Sequence, residues 1–485
     1  MDIKIGLLGC GTVGGGVVEL IRMRADKIAA MTGLHPVITD VLVRDLDKKR
    51  NVTFEHERLT NDASAIIQNE EIKVVIETMG GIEPAKTLIL SALRAGKHVI
   101  TANKDLIALH GPEIMEVAEQ EKRDFLYEAA VGGAIPLIRP LKESLTANEI
   151  TDLKGIINGT TNYILTKMTE SGANYEEVLR EAQELGYAES NPSSDVDGLD
   201  AARKLTILAS IAFGAKVSLD DVKVEGIRSI TAADVAYAHE LGAVIKLLAV
   251  GKDDGHALYL QVRPTMVPKA HPLAHVNDAF NALFVHGDAA GDLMFFGRGA
   301  GSLPTASAIV GDVIETLRNM SMAIPSRFRT GPVATKAVKR GSPEPLRYYL
   351  RMHAKDRPGV FAHIATIFSN TEISMETVLQ KRALRILLHG EPKSAVHRGS
   401  HRLSRHRLIH SWCEWRRRPV ANSPDCQSVW QWPRFLVFRQ WRHERLERHL
   451  QLESRSYGGY QYDCFHGIHE SLSYRQKYFR RCQQE

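Results

Sequence analysis

Residues 4–8 form a short apolar run that ends in Gly9-Cys10-Gly11-Thr12-Val13-Gly14, and apolar positions then recur with helical spacing through about residue 31. Further apolar runs at 37–43, 74–77, 98–101 and 125–128 predict strands, and the stretches between them, such as 84–95, predict helices. This alternation predicts an α/β domain over residues 1–135, built on a doubly wound parallel sheet. From residue 136 to 330 the alternation is lost. Strands at 149–157 and 256–262, with helices between them, predict an α+β domain on an open mixed sheet whose last helix returns to the first domain. The helix predicted at 175–185 begins at Asn174 with Glu177 three residues on, the spacing of a capping box. Residues 331–345 form a linker bearing Gly341 and Pro345, and a strand, a helix and a strand follow over 346–381. Beyond that point neither a period of 2 nor one of 3.6 is sustained.

Within the second domain one helix has an unusual face. At 100° per residue, Asp200 and Lys204 share a stripe with Ile207, Leu208 and Ile211, while Arg203, Thr206 and Ser210 fall on another side. On a surface such an i,i+4 pair stabilises a helix by only about 0.2–0.5 kcal/mol. On an apolar stripe the ammonium loses solvation, which lowers a lysine pKa toward the range useful for proton transfer. Asp197 stands where it can cap this helix. The loop before it is acidic, and Glu189 and Asp195 together with Asp200 argue for a substrate with a free ammonium group.

The glycine run is G-x-G-x-x-G in a strand-turn-helix setting, which points to a dinucleotide. The first glycine permits the tight turn, the second admits the pyrophosphate, and the third lets helix pack on strand, with the helix N-terminus facing the anion. Cys10 is then a small residue in a turn. The second strand ends at Arg44, where a reader of the ribose 2′-hydroxyl would be acidic. Arg44, followed by Lys48, Lys49 and Arg50, suits a 2′-phosphate, so NADP(H) is expected over NAD(H), with Asp45 still able to accept from a ribose. Lys104, at the carboxyl end of a strand, should face cofactor and substrate.

Composition changes this picture at one boundary. The 485 residues are 44% hydrophobic, ample for several cores, and no apolar run reaches the length of a membrane span, so a cytoplasmic protein is expected. The formal charge of +5 is unevenly divided: residues 1–381 carry 42 Lys and Arg against 48 Asp and Glu, and residues 382–485 carry 20 against 9. All five Trp and four of the five Cys also lie beyond Arg382. Cys413, Cys426, Cys464 and Cys482 have no metal-ligand spacing. The abrupt shift is read as a change of reading frame rather than as a basic arm for nucleic acid.

The motifs together resemble one family. The glycine loop, Thr78-Met79-Gly80-Gly81-Ile82-Glu83-Pro84, Thr101-Ala102-Asn103-Lys104, Asn158-Gly159-Thr160-Thr161-Asn162-Tyr163, the segment from Gly186-Tyr187-Ala188-Glu189 to Lys204, and Gly297-Arg298-Gly299-Ala300-Gly301 are similar to homoserine dehydrogenase, from the N-terminus to about residue 381. The resemblance implies a Rossmann domain, a substrate and dimerisation domain, and a C-terminal ferredoxin-like ACT module that senses threonine. It implies reversible NAD(P)-dependent interconversion of L-homoserine and L-aspartate 4-semialdehyde on the way to threonine and methionine, in a homodimer or homotetramer. By similarity Lys204 exchanges the proton, with Lys104 the alternative, and Asp200 orients it. Glu189, Gly159, Thr160, Tyr187 and Asp195 line the substrate pocket. Gly9, Gly11, Thr12, Val13, Gly14, Arg44, Thr78, Gly80, Thr101, Lys104 and Gly301 hold the cofactor. A monovalent cation, taken as Na+, falls on Glu128, Val131, Gly133 and Ile135. The ACT resemblance stops at residue 381, so a partial module with unpaired strand edges is expected, and threonine sensing with it is unsupported. Two other readings stay open: a dehydrogenase for another small amino or hydroxy acid, and a silent NADP-binding or amino-acid-sensing protein.

Overall fold

The computed structural model describes residues 1–324, 335–344, 346–355 and 358–380, with the backbone of 431–441 and 462–467. Strands β1 (Asp2–Leu8), β2 (His35–Leu42), β3 (Arg58–Thr60), β4 (Ile72–Glu77), β5 (His98–Thr101) and β6 (Phe125–Leu126) make a parallel sheet in the order β3-β2-β1-β4-β5-β6. Helices α1 (Thr12–Thr32), α2 (Ser64–Ile67), α3 (Ala85–Arg94) and α4 (Lys104–Gln120) are interleaved with them. Covering both faces with helices explains why β1 reads as an almost unbroken apolar run: Ile3, Ile5, Leu7 and Leu8 are all buried. The strand order reverses between β1 and β4, which opens a crevice at their carboxyl ends. The strand predicted at 125–128 stops at Leu126, and Glu128 enters a single 3-10 turn at Glu128–Ala130.

The second domain comprises β7 (Ile150–Ile156), α5 (Gly159–Ser171), α6 (Tyr175–Glu184), α7 (Ser193–Val196), α8 (Leu199–Ala212), β8 (Lys223–Val224), α9 (Ala232–Glu240), β9 (Ala243–Asp253), β10 (Ala257–Pro268), β11 (Phe280–Gly287), β12 (Gly291–Arg298) and α10 (Ser302–Ser321). Its sheet runs β12-β11-β7-β9-β10 through antiparallel ladders, and β8 and β13 (Ala337–Val338) add to β10 in parallel. The mixed sheet explains the lost alternation. Helix α10 leaves this domain and packs Ala306, Ile309, Val310, Val313 and Leu317 into the core that holds Val17, Val18 and Ile21 of α1. At the start of α6, Asn174 N–H donates to the Glu177 carboxylate across 3.4 Å, as its capping-box spacing predicts.

The C-terminal unit contains β14 (Leu346–Lys355), α11 (Val360–Asn370), β15 (Ser374–Gln380), β16 (Gln431–Trp441) and β17 (Tyr462–Gly467). Its strands pair antiparallel in the order β17-β14-β16-β15. This corrects the expectation that the strand edges of residues 346–381 are unpaired. The run Phe435-Leu436-Val437-Phe438 has the aromatic and aliphatic composition of a strand, but it is short and follows Pro433, so no period registers in a scan of the sequence. Strand β14 is tied to the second domain: Tyr349 Oη donates to Asp234 Oδ1 (2.9 Å) and Arg351 Nη1 to Thr231 Oγ1 (2.8 Å). Asp356, Arg357, Cys413, Cys426 and Cys482 lie outside the described residues, as does part of the predicted linker. Among the described residues no helix is long and apolar enough to cross a membrane.

Candidate active site

The glycine loop sits at the crevice. Gly9 has φ +93°, and a Cβ there would meet the Met79 backbone at 3.0 Å; a Cβ on Gly14 would meet the Gly9 carbonyl at 2.4 Å. Gly11, by contrast, opens onto free space, and α1 starts there with no side-chain cap. The amides of the first turn, at Thr12, Val13 and Gly14, are therefore left for an anion. Helix α10 starts beside them at Gly301, also without a side-chain cap, and Ser302 Oγ donates to the Thr12 carbonyl (2.8 Å). Two uncapped helix N-termini thus converge, a cradle suited to the pyrophosphate of a dinucleotide. Arg44 follows β2 with its side chain exposed.

Glu77, which the motif reading passed over, organises the neighbouring loop. It is fully buried; Oε1 accepts from the amides of Met79 (2.6 Å) and Gly80 (3.0 Å), and Oε2 accepts from Thr101 Oγ1 (2.5 Å). Thr101 is therefore committed to the strand end. Thr78 Oγ1 donates to the Gly9 carbonyl (2.7 Å), which joins this loop to the glycine turn. The signal available in sequence was a carboxylate closing a buried parallel strand. Asn103 caps α4, accepting from Leu106 N–H (3.1 Å) and donating to the Gly81 carbonyl (2.6 Å), so Lys104 is held at the first turn of the helix.

Lys104 reaches across to the second domain. Asp200, 3% exposed, receives Lys104 Nζ at Oδ1 (2.9 Å) and Lys204 Nζ at Oδ2 (2.7 Å). Lys204 also donates to the Ile157 carbonyl (2.7 Å). The solitary desolvated ammonium expected from the helical stripe is in fact a paired one, because β7 and α4 bring a carbonyl and a second lysine to the same carboxylate. Burial alone would raise Asp200, but Lys204 and Lys104 outweigh it and hold the carboxyl well below the usual range. Burial would likewise lower Lys104, yet Asp200 beside it pushes its pKa above the ordinary lysine value. Of the three N–H groups of Lys204, two are used and one has no acceptor among the described residues.

Helix α8 starts differently from the expectation. Gly198, with φ +83°, occupies the N-cap, and a Cβ there would meet Val224 at 3.0 Å and Val262 at 3.2 Å. Asp197 turns instead to Arg228, whose Nη2 donates to Oδ2 at 3.1 Å. An arginine 31 residues away, invisible to a local reading, takes the cap away. One turn into α8, Arg203 pairs with Asp105 of α4 (2.8 Å) and donates to Ser194 Oγ (3.2 Å), a second bond between the domains.

The remaining residues expected in the pocket lie on α5, on α7 and in the loop between α6 and α7. Thr160 Oγ1 donates to the Tyr187 carbonyl (2.7 Å), and the exposed Tyr187 ring stacks on Tyr163 at 4.6 Å between centroids. Gly159 lies against the Ala279 carbonyl, which a Cβ would meet at 3.0 Å. Glu189 is exposed, its carbonyl accepting from Gln183 (3.0 Å), and Asp195 on α7 accepts from Asn158 Nδ2 (2.7 Å). Asn158 also donates to Asp200, a role that its helix-capping signature hides.

The bend between the domains is buried at Glu128, Val131, Gly133 and Ile135. The Glu128 carboxylate is taken by the amides of Leu137 (2.6 Å), Ile138 (2.9 Å) and Arg139 (2.7 Å), and Glu128 N–H donates to Asp312 of α10 (2.9 Å). No cluster of acidic, His or Cys side chains among the described residues could hold a metal. A cation here would rest on main-chain carbonyls, donors that suit a hard ion.

Comparison with known proteins agrees with this architecture. The family model for the homoserine dehydrogenase NAD binding domain matches residues 9–128, and the model for homoserine dehydrogenase matches residues 136–314. The chain is 45% identical over 378 residues to homoserine dehydrogenase of Bacillus subtilis, covering 78% of this chain and 87% of that one. To the enzyme of Synechocystis it is 47% identical over 389 residues, covering 78% and 89%. The crystal structure of a homoserine dehydrogenase from Thiobacillus denitrificans superimposes with a TM-score of 0.83 at 34% identity, covering 96% of this chain and 98% of that one. The matches span both halves of the site, and the chain belongs to the homoserine dehydrogenase family.

Proposed function

We propose that the chain interconverts L-homoserine and L-aspartate 4-semialdehyde with a nicotinamide dinucleotide, and that Lys204 exchanges the proton at the substrate oxygen. The observation that carries this reading is the Asp200 carboxylate, gripped from two domains by two lysines, one of which keeps an N–H free. The dinucleotide, when bound, gives hydride to the substrate carbon or takes it away. Gly9, Gly11, Gly14 and Gly301 would cradle its phosphates, with Thr78 and Gly80 on the loop that borders the glycine turn. As negative charge grows on the substrate oxygen, Lys204 donates to it, and in the oxidation direction Lys204 takes the proton back. Asp200 stays ionised and aims the ammonium, and Lys104, held protonated, adds positive charge. Glu189 is the partner for the substrate ammonium, and Gly159, Thr160, Tyr187 and Asp195 shape the pocket around it.

The same reading extends to finer points. The exposed Arg44 supports NADP(H) over NAD(H), so Arg44→Ala should lower the ratio of NADPH to NADH affinity; an unchanged ratio contradicts the preference. Carbonyls of Glu128, Val131, Gly133 and Ile135 would hold Na+. Exposed Met294 and Phe296 on β12 support self-association as a homodimer or homotetramer. The function is tested by following NADPH oxidation with aspartate 4-semialdehyde, with and without threonine. Turnover supports the dehydrogenase. Its absence in folded protein would leave the silent binder, and a rate indifferent to threonine is expected if residues 382–485 come from another reading frame.

A further inference from the structure

We propose that Asn158 is a positioning residue for this reaction, its amide holding Asp195 and Asp200 in register so that Asp200 can aim Lys204. The proposal rests on the reading of Lys204 and Asp200 given above. Asn158 is 5% exposed at the junction of β7 and α5, and its side chain makes four hydrogen bonds. Oδ1 accepts from Thr161 N–H (2.9 Å) and Thr161 Oγ1 (2.8 Å), while Nδ2 donates to Asp195 Oδ1 (2.7 Å) and Asp200 Oδ2 (2.9 Å). Both donors and both lone pairs of the amide are thus used. The carbonyl one residue earlier, at Ile157, accepts from Lys204, so two consecutive residues hold both members of the Asp200–Lys204 pair.

Helix capping does not explain the choice of residue. Ser and Asp cap a helix N-terminus about as well as Asn. Neither can give one N–H to each of two carboxylates while accepting from the helix. Without that bridge Asp195 and Asp200 face each other with like charge, and only the two lysines hold the Asp200 carboxylate, so its aim at Lys204 loosens. The charged groups around the amide are Asp195 from α7, Asp200 and Lys204 from α8, and, through Asp200, Lys104 from α4.

The test uses Asn158→Ser and Asn158→Asp, each of which keeps the cap. Both are expected to retain NADPH affinity and nearly the wild-type melting temperature while kcat falls at least tenfold. In Asn158→Asp a third carboxylate joins two others, and like charge favours its protonated form. Protonated, it again donates one hydrogen bond, so its kcat relative to wild type should recover as the pH falls from 8 toward 5. A merely structural cap would show no such recovery. Wild-type kcat and an unchanged pH profile in both variants would overturn the proposal; should Asn158→Ser fail to fold, Asn158→Asp decides alone. Asp200→Asn separates the two levels. If it is inactive while the Asn158 variants are normal, only the role of Asn158 fails, and if it is fully active, the underlying reading fails with it.

Discussion

Lys204 on α8 and Lys246 on β9 are both largely withdrawn from solvent, but their ammonium groups are met differently. Lys246, 2% exposed, donates to Asn162 Oδ1 (3.0 Å), the Val276 carbonyl (2.6 Å) and Asn277 Oδ1 (3.3 Å). Three N–H groups meet three neutral acceptors, and burial lowers the lysine to about 8. Lys204 meets one carboxylate and one carbonyl and keeps a donor in hand. A buried lysine is therefore not in itself a sign of chemistry. What distinguishes the lysine proposed to react is a carboxylate partner and an N–H left for the substrate.

The largest effect should come from removing the anion. Asp200→Asn leaves two lysines facing a neutral amide, and turnover should fall by about a hundredfold or more, the scale of a lost acid–base group, with NADPH binding retained. Near-normal turnover would erase the contrast between the lysines. The ionised Asp200 is also a stability term: its folded pKa is depressed, so the contribution is present above the unfolded value of about 3.9 and is lost only as pH falls through the folded pKa.

Lys246→Met should act in the opposite way, on stability more than on rate. It strands the Asn162 and Val276 acceptors in the interior, at a cost of about 1–3 kcal/mol, measured by urea unfolding, with kcat within a few-fold of wild type. The sign of its pH dependence follows from the lowered pKa. The unfolded chain holds this proton up to about pH 10.4 and the fold releases it near 8, so wild type should gain stability relative to Lys246→Met between those values. A constant difference across that range would mean that the ammonium is fully stabilised by its three acceptors. The smallest effect is expected at Arg203, whose pair with Asp105 is partly exposed. Arg203→Ala should cost roughly 0.2–1 kcal/mol, with a loss of domain coupling that grows weaker in high salt.

Much of this was legible along the chain, and the reasons for the exceptions are physical. The glycine turn is local, because φ at Gly9 and the close approach at Gly14 are satisfied by neighbours in sequence or at an adjacent strand end. The Asp200–Lys204 pair is also local, an i,i+4 relation on one helix. What sequence reading missed depends on distant partners: Arg228 drawing Asp197 from its cap, Thr101 closing on Glu77, and Lys246 meeting acceptors 84 and 30 residues away. Lys246 carries no acidic neighbour at helical or strand spacing, so nothing nearby marks it. Strand β16 was missed for a different reason, since a short apolar run gains a strand identity only from the β14 and β15 backbones beside it.

The most direct test is to measure single-turnover NADPH oxidation with aspartate 4-semialdehyde for Lys204→Met and Lys246→Met side by side, at equal folded fraction and saturating cofactor. The account predicts a rate for Lys204→Met lower by orders of magnitude and a rate for Lys246→Met close to wild type. Equal rates for the two variants would contradict it.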